Sequence, residues 1–372
     1  MSTFYRPLLL FCVASIFAMG LVMIFNTTSA EVLDHALDRS THQALFKQII
    51  YCLVGLAMAG GVWYVGYQKM IAWSPYLLGF FCFLLLLTLI PGIGKEVNGS
   101  RRWIGAGGLY FQPSEFVKYV VPAYFCYCLQ GIDGSTLELR SFLKIIGKIG
   151  VPILLILVEP NNGTAGVIGL LVVVMCVMTR IRFKYWALPL SIFLVIGAVS
   201  AYNLPYVSAR LKVYLHPELD LRGKGHQPYQ AKIAAGSGQL FGRGPGNSLQ
   251  KLSYLPEAQN DYIAAIYAEE FGFLGIVSLI VLYMIIGYVG FYIAHTTFDR
   301  SGFYFATAIT FLICFQAFMN LGVVSGLLPS TGLNLPFFSQ GGTSLMANIM
   351  GLGLLLNIAH SQKEQQCQNG FS

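Results

Sequence analysis

Charge is what this sequence lacks. Of its 372 residues, only 10% are Asp, Glu, Lys or Arg, against about a quarter in an ordinary soluble domain. A water-soluble fold of this length cannot cover its surface with so few ionisable groups. Familiar catalytic and nucleotide motifs are missing too: no GxSxG nucleophile elbow occurs, and no Walker-type phosphate loop or dinucleotide glycine pattern, which excludes transport powered by nucleotide hydrolysis on this chain. The histidines (His35, His42, His216, His226, His295 and His360) show no metal-ligand spacing. The cysteines are few and dispersed. Cys12, Cys52, Cys82, Cys126, Cys128, Cys176 and Cys314 lie inside apolar runs and only Cys367 lies in a polar tail, so neither a disulfide framework nor a zinc site is implied. No basic tail, internal repeat, low-complexity tract or second domain is visible. The net charge of +7 is spread over short loops and one long loop, which points away from nucleic acid and toward membrane lipid or a phosphorylated substrate.

What is abundant is apolar sequence. Hydrophobic residues make up 56% of the chain and cluster in runs of about 20, the length that crosses a hydrocarbon core of about 30 Å. The runs fall at 7–26, 44–66, 71–90, 113–130, 145–157, 163–179, 185–202, 262–293, 303–328 and 344–358. The first is longer than the core of a secretory signal and reads as a retained helix. The expectation is an all-α polytopic membrane protein of about ten transmembrane helices, with one membrane domain over residues 1–372.

Positive charge in the short loops sets the orientation. With the N-terminus cytoplasmic, the inner segments carry Arg6, Lys69, Arg140, Lys144, Lys148, Arg180, Arg182, Lys184, Arg300 and Lys363. The outer short loops hold fewer, namely Arg39, Lys47, Lys95, Arg101 and Arg102. Both termini are therefore expected inside. The segment 203–261, between the seventh and eighth helices, then becomes a large extracytoplasmic loop. It carries Arg210, Lys212, Arg222, Lys224, Lys232, Arg243 and Lys251 against Glu218, Asp220, Glu257 and Asp261. Long loops in compact proteins are more often functional than idle.

Several constellations carry chemistry. The outward loop after the third helix reads Asn98-Gly-Ser-Arg-Arg-Trp103, and the next helix opens Phe111-Gln-Pro-Ser-Glu-Phe-Val-Lys118. Pro113 suits a first helical turn, and Glu115 and Lys118 share a helical face. Ionisable groups in a membrane helix face protein or a wet cavity. The pair is thus either a self-neutralising structural bridge or part of a polar cavity that holds a headgroup. Arg101 and Arg102 offer planar donor forks for phosphate, or equally anchor to lipid headgroups. Glu257 and Asp261 stand where the chain returns to the membrane. A partly desolvated carboxylate there is suited to act as a general base, while a helix-capping role is the plainer alternative. Glu269 and Glu270 read as hydrogen-bonded structural residues. The last outward loop, 326–344, is rich in Gly and Pro, and irregular backbone at membrane depth packs in protein or lines a cavity.

Taken together, these segments resemble the shape, elongation, division and sporulation (SEDS) family, the FtsW/RodA/SpoVE group, over nearly the whole chain. The most specific matches are 98–118, Glu159-Pro-Asn-Asn-Gly-Thr164, 236–275 and 328–344. The resemblance implies a ten-helix fold and a peptidoglycan glycosyltransferase that polymerises lipid II into glycan strands. It implies as partners lipid II, the undecaprenyl-pyrophosphate-linked glycan, a class B penicillin-binding protein and the proteins of a division or elongation complex. It assigns Asp261 as the catalytic base, and it supports substrate-facing roles for Arg102, Glu115 and Lys118. Arg210, Lys232 and Glu257 in the long loop complete the candidate substrate-binding set. No cofactor is implied, although a divalent cation bridging pyrophosphate and carboxylate is compatible with it. Two departures stand out: Asn161 and Gln340 occupy positions where the family usually shows Asp and Tyr. Glu159-Pro160, 246–251, 254–258 and 331–333 look like division members, whereas 111–115 and Val121-Pro122 look like elongation members; the division role is the expectation. A lipid carrier without chemistry and a non-catalytic scaffold are the rivals, both separable from an enzyme at Asp261.

Overall fold

The computed structural model describes residues 2–35, 42–97, 100–106, 109–203, 208, 213–215, 225–251 and 259–369. Every apolar run read from the sequence forms a helix. In chain order these are α1 (Ser2–His35), α2 (Gln43–Val65), α3 (Tyr67–Leu89), α4 (Pro113–Cys128), α5 (Leu139–Val158), α6 (Asn162–Met178) and α7 (Phe183–Asn203). After these come α8 (His226–Ser237), α9 (Ile263–His295), α10 (Arg300–Val324) and α11 (Gly342–Asn369). Seven of them are long and apolar enough to cross a membrane, which makes this a multi-pass membrane protein. The expected count of ten crossings adds α4, α6 and α7. α4 has 16 residues, about 24 Å at 1.5 Å per residue, and its side chains from Pro113 to Cys126 are all buried. Protein, not lipid, surrounds it.

Layering follows from burial. The apolar window of α11 is 89% buried and that of α2 only 17%, so α11 runs through the centre and α2 packs along its outside. α3 covers α4, α9 pairs with α10, and α1 lies along α9. The outer faces of α2, α3 and α7 expose Phe46, Leu53, Tyr76, Phe80, Leu188 and Leu194. Such faces suit contact with lipid.

Three features depart from the sequence reading. The outward loop after α3 is not irregular: β1 (Gly94–Val97), β2 (Ser100–Ala106) and β3 (Leu109–Phe111) form an antiparallel sheet in the order β1-β2-β3. Lys95 pairs with Trp103 and Gly105 with Tyr110, with a bulge between Lys95 and Glu96. The all-α expectation is therefore qualified by one small sheet. Second, the long loop contains α8, whose Ala231 and Ala234 are fully buried against neighbouring helices. Third, the run 262–293 is not one straight helix. Gly272 adopts φ 67° and ψ −164°, a conformation open to glycine and costly for other residues, and the ladder breaks there.

The break has a use. Freed carbonyls of Glu269 and Glu270 accept from the backbone N–H of Arg243 (2.9 Å) and Gly244 (3.0 Å), while the N–H groups of Phe273 and Leu274 donate to Gln239 (2.8 Å) and Leu240 (3.2 Å). The segment after α8 is thereby laced onto α9. Gly238 and Gly242 lie against the α9 backbone so closely that a Cβ at either would collide with carbonyl oxygens.

Candidate functional site

The outer ends of four helices meet, and each has its N-terminus at the meeting point. α4 begins with Pro113 in its first turn, as the sequence predicts. α6 is capped by Asn161, whose Oδ1 accepts from the N–H of Thr164 at 3.4 Å. The same side chain donates Nδ2 to Ser114 Oγ at 3.3 Å, which ties the start of α6 to the start of α4. Gln112 N–H donates to Thr343 Oγ1 at 3.1 Å, tying α4 to the start of α11. Gln340 N–H donates to the carbonyl of Gln259 at 2.9 Å, tying the segment before α11 to the segment before α9. The N-termini of four helices, each the positive end of a helix dipole, are thus linked side by side in the order α6, α4, α11, α9 as a ring of neighbouring helix starts.

Asp261 stands at the edge of this ring. The N-cap position of α9 is taken by the next residue, Tyr262, whose side chain makes no capping hydrogen bond. The carbonyl of Asp261 instead accepts from Nδ2 of Asn320 on α10 at 2.8 Å, and the same Nδ2 reaches the carbonyl of Leu333 at 2.8 Å. Asn320 is 2% exposed.

One face of α10 connects the sequence-predicted residues. Gln316, four residues before Asn320, accepts from Lys118 Nζ at 2.8 Å. Lys118 also bonds Glu115 Oε2 at 2.7 Å, both groups being buried. Val323, three residues after Asn320, lines a cavity with Tyr214, Lys232, Gly326 and Pro329. Residues spaced i, i+4 and i+7 lie along one stripe, so Lys118, the Asp261 backbone and Lys232 are reached in succession along about 10 Å of α10. Glu115, Lys118, Asp261 and Lys232 are therefore brought together as a column. Arg210 and Glu257 lie outside the described residues.

Arg102 takes another position. Its Nε donates to the carbonyl of Glu159 at 3.0 Å and its Nη2 to that of Pro160, so it is docked on the outer turn between α5 and α6, next to the α6 N-terminus. Arg101 pairs with Glu96 at 3.1 Å on an exposed surface, where such bridges contribute at most about 1 kcal/mol. Lys251, counted among the loop cations, is committed elsewhere: its Nζ bonds Glu270 Oε1 at 3.0 Å and Asn26 Oδ1 at 2.7 Å. Glu269 accepts from Ser248 Oγ (2.5 Å), Leu249 N–H (3.2 Å) and Gln250 N–H (3.3 Å). Both acids are hydrogen-bonded within the fold, as expected.

Sequence reasoning missed Asn320, Gln316 and Glu159 as functional candidates. Asn320 and Gln316 are uncharged polar residues in an apolar run, and only their i, i+4 spacing opposite Lys118 would have marked them. Glu159 is 1% exposed; Thr88 Oγ1 donates to its Oε1, and its Oε2 has no partner among the described residues. Burial pushes its carboxyl up to about 7, against the hydroxyl of Thr88 and the charge of Arg102, which both pull it down. Among the described residues, no group of three or more His, Cys, Asp or Glu converges to hold a metal.

A family model described as a cell cycle protein, FTSW_RODA_SPOVE, matches residues 6–364. The chain is 35% identical over 366 residues to a probable peptidoglycan glycosyltransferase FtsW of Trichlorobacter lovleyi, covering 96% of this chain and 94% of that one. It is 36% identical to the stage V sporulation protein E of Bacillus subtilis, covering 91% and 93%. Among solved structures, one of a peptidoglycan synthase complex that coordinates polymerization and crosslinking matches with a TM-score of 0.76 at 27% identity, covering 95% and 97%. The rod shape determining protein RodA of Thermus thermophilus matches with a TM-score of 0.69 at 26% identity, covering 95% and 96%.

Proposed function

This chain belongs to the FtsW/RodA/SpoVE family of cell cycle proteins, and from that premise we propose that it is a peptidoglycan glycosyltransferase that polymerises lipid II in septal cell-wall synthesis. The reaction takes place at the outer face of a bacterial cytoplasmic membrane, with both termini of the chain cytoplasmic. Asp261 takes the proton of the 4-hydroxyl of the acceptor lipid II. That oxygen attacks the anomeric carbon of the growing strand, and the bond to the leaving undecaprenyl pyrophosphate breaks.

The observation that carries this reading is the ring of four helix N-termini beside Asp261. A pyrophosphate leaving group gathers negative charge as its bond breaks, and fixed positive dipole ends stabilise charge where it develops. A base and an anion-stabilising wall on opposite sides of one reacting carbon are what the chemistry requires. Lys118, fixed by Glu115 and Gln316, adds a cation that cannot swing away. Lys232 supplies a second along the α10 stripe, and Arg102 holds the turn that presents the α6 N-terminus. Arg210 and Glu257 belong to the same reading as loop groups that contact the headgroup. A class B penicillin-binding protein supplies the crosslinking partner, and the proteins of the division complex assemble around the pair. The named division relatives favour the septal role over the elongation role.

The test is polymerisation of purified lipid II by the reconstituted protein with its cognate penicillin-binding partner, comparing wild type with Asp261→Asn at matched folding and partner binding. Glycan strands from the wild type alone are expected. Equal product from both sinks the assignment of the base, and none from either favours a carrier or a scaffold.

A further inference from the structure

The segment that carries Asp261 is held from outside its own helix. Its carbonyl hangs from Asn320 of α10, and two residues earlier the carbonyl of Gln259 accepts from Gln340 N–H. The two suspending groups are themselves linked: Asn320 also grips Leu333, and residues 333–340 belong to the irregular outer loop between α10 and α11. That loop is rigid at this end, since Ser339 Oγ accepts from Leu335 N–H at 3.0 Å and Gln48 Nε2 donates to the Ser339 carbonyl at 3.2 Å. A single buried amide therefore joins three pieces of chain: α10, the last outer loop and the segment leading into α9.

The amide can point only one way. Its nitrogen faces two carbonyl oxygens, and an oxygen in that place would face them unfavourably. Its Oδ1 has no protein partner among the described residues.

We infer that Asn320 is a positioning residue for the glycosyl transfer: by holding the Asp261 carbonyl and the Leu333 carbonyl on one nitrogen, it fixes where the Asp261 carboxylate stands relative to the ring of helix N-termini. It touches no reacting atom and acts through the backbone of Asp261. The inference rests on the reading of Asp261 as the base. A displacement of about 1 Å in a catalytic group is enough to lower turnover by about a hundredfold, whereas the affinity for lipid II, spread over a headgroup and a polyprenyl chain, depends little on it.

The test is Asn320→Asp in the full-length reconstituted complex. The variant keeps the shape of the side chain and loses both donors when ionised. At about pH 8, kcat for lipid II polymerisation is expected to fall at least about tenfold, with KM within about twofold. A purely structural role predicts instead less folded complex and a lower thermal midpoint, with kcat per folded complex unchanged. Asn320→Gln, which keeps an amide donor on a longer arm, is the second variant and is expected to lose kcat without losing KM. Wild-type kcat for both variants, in preparations where Asp261→Asn is inactive, overturns the inference. Full activity of Asp261→Asn overturns instead the reading beneath it.

Discussion

The Nζ of Lys118 lies 2.7 Å from Oε2 of Glu115 one turn earlier on α4, and 2.8 Å from Oε1 of Gln316 on α10. Lys118 is 1% exposed and Glu115 only 7%. Removing one partner of such a pair leaves a buried charge and costs about 3–5 kcal/mol, whereas replacing both with apolar residues of similar size is often neutral. Lys118→Met and Glu115→Leu are each expected to lower the thermal midpoint in detergent strongly. The double variant is expected to recover the midpoint while remaining inactive in lipid II polymerisation, because the cation at the ring is gone. Recovery of both stability and activity would reduce the pair to a structural bridge.

The lacing of residues 238–251 onto α9 makes a second prediction. Glu269 gathers donors from Ser248, Leu249 and Gln250, and Arg243 Nε lies 3.5 Å away. Glu269→Gln puts an amide N–H against these donors, and each unsatisfied buried group costs about 1–3 kcal/mol. The segment 238–251 is expected to exchange its backbone hydrogens faster by mass spectrometry while α10 and α11 keep wild-type protection. Gly272→Ala should give the same local pattern more strongly, since a Cβ there meets the backbone of residues 240–242. Loss of protection throughout the bundle would mean that the clamp is part of the global fold and not a local device.

How far the sequence carried these conclusions depends on the kind of interaction. Apolar runs were legible because lipid imposes a length and a composition; each run proved to be a helix. The ion pair of Glu115 and Lys118 was legible because both partners sit on one turn. The sheet β1-β2-β3 was not, because its strands are short and their pairing is set by a bulge and by packing under α3 and α4. Asn320, Gln316 and Thr343 were invisible for a different reason. Their partners are backbone or side-chain atoms roughly 60 to 230 residues away, and a lone polar residue in an apolar run carries no sign of what it will meet. The break at Gly272 was masked by continuous hydrophobicity on either side.

Asn161 tests whether the family's acid at this position has a chemical role. Here the amide caps α6 through Thr164 N–H and donates to Ser114 Oγ. A carboxylate can accept from both groups after the Ser114 hydroxyl rotates, so Asn161→Asp should leave stability and polymerisation within a few tenths of a kcal/mol of wild type. Asn161→Ala removes the cap and should cost about 1 kcal/mol. A large gain in kcat for Asn161→Asp would show that the acid does more than cap.

Glu159 gives the protein a titration near neutral pH. Its folded carboxyl is raised to about 7 by burial, above the ordinary Glu value of about 4.3 in an unfolded chain. The folded state therefore holds a proton that the unfolded state has already released, and stability from this group is full below about pH 4 and is lost as the pH rises through about 7. Gln mimics the protonated form and does not titrate. Glu159→Gln should melt close to wild type at about pH 5 and progressively above it as the pH approaches about 8, with the difference measured by thermal unfolding in one detergent across that range. Ionised Glu159 would also draw Arg102 toward its carboxylate and away from the carbonyls of Glu159 and Pro160, loosening the turn that presents the α6 N-terminus. Polymerisation by the Glu159→Gln variant should accordingly fall off less steeply than wild type on the alkaline side. A variant with the wild-type pH profile in both stability and activity would mean that Glu159 is ionised in the fold despite its burial, with Arg102 as its effective counter-charge.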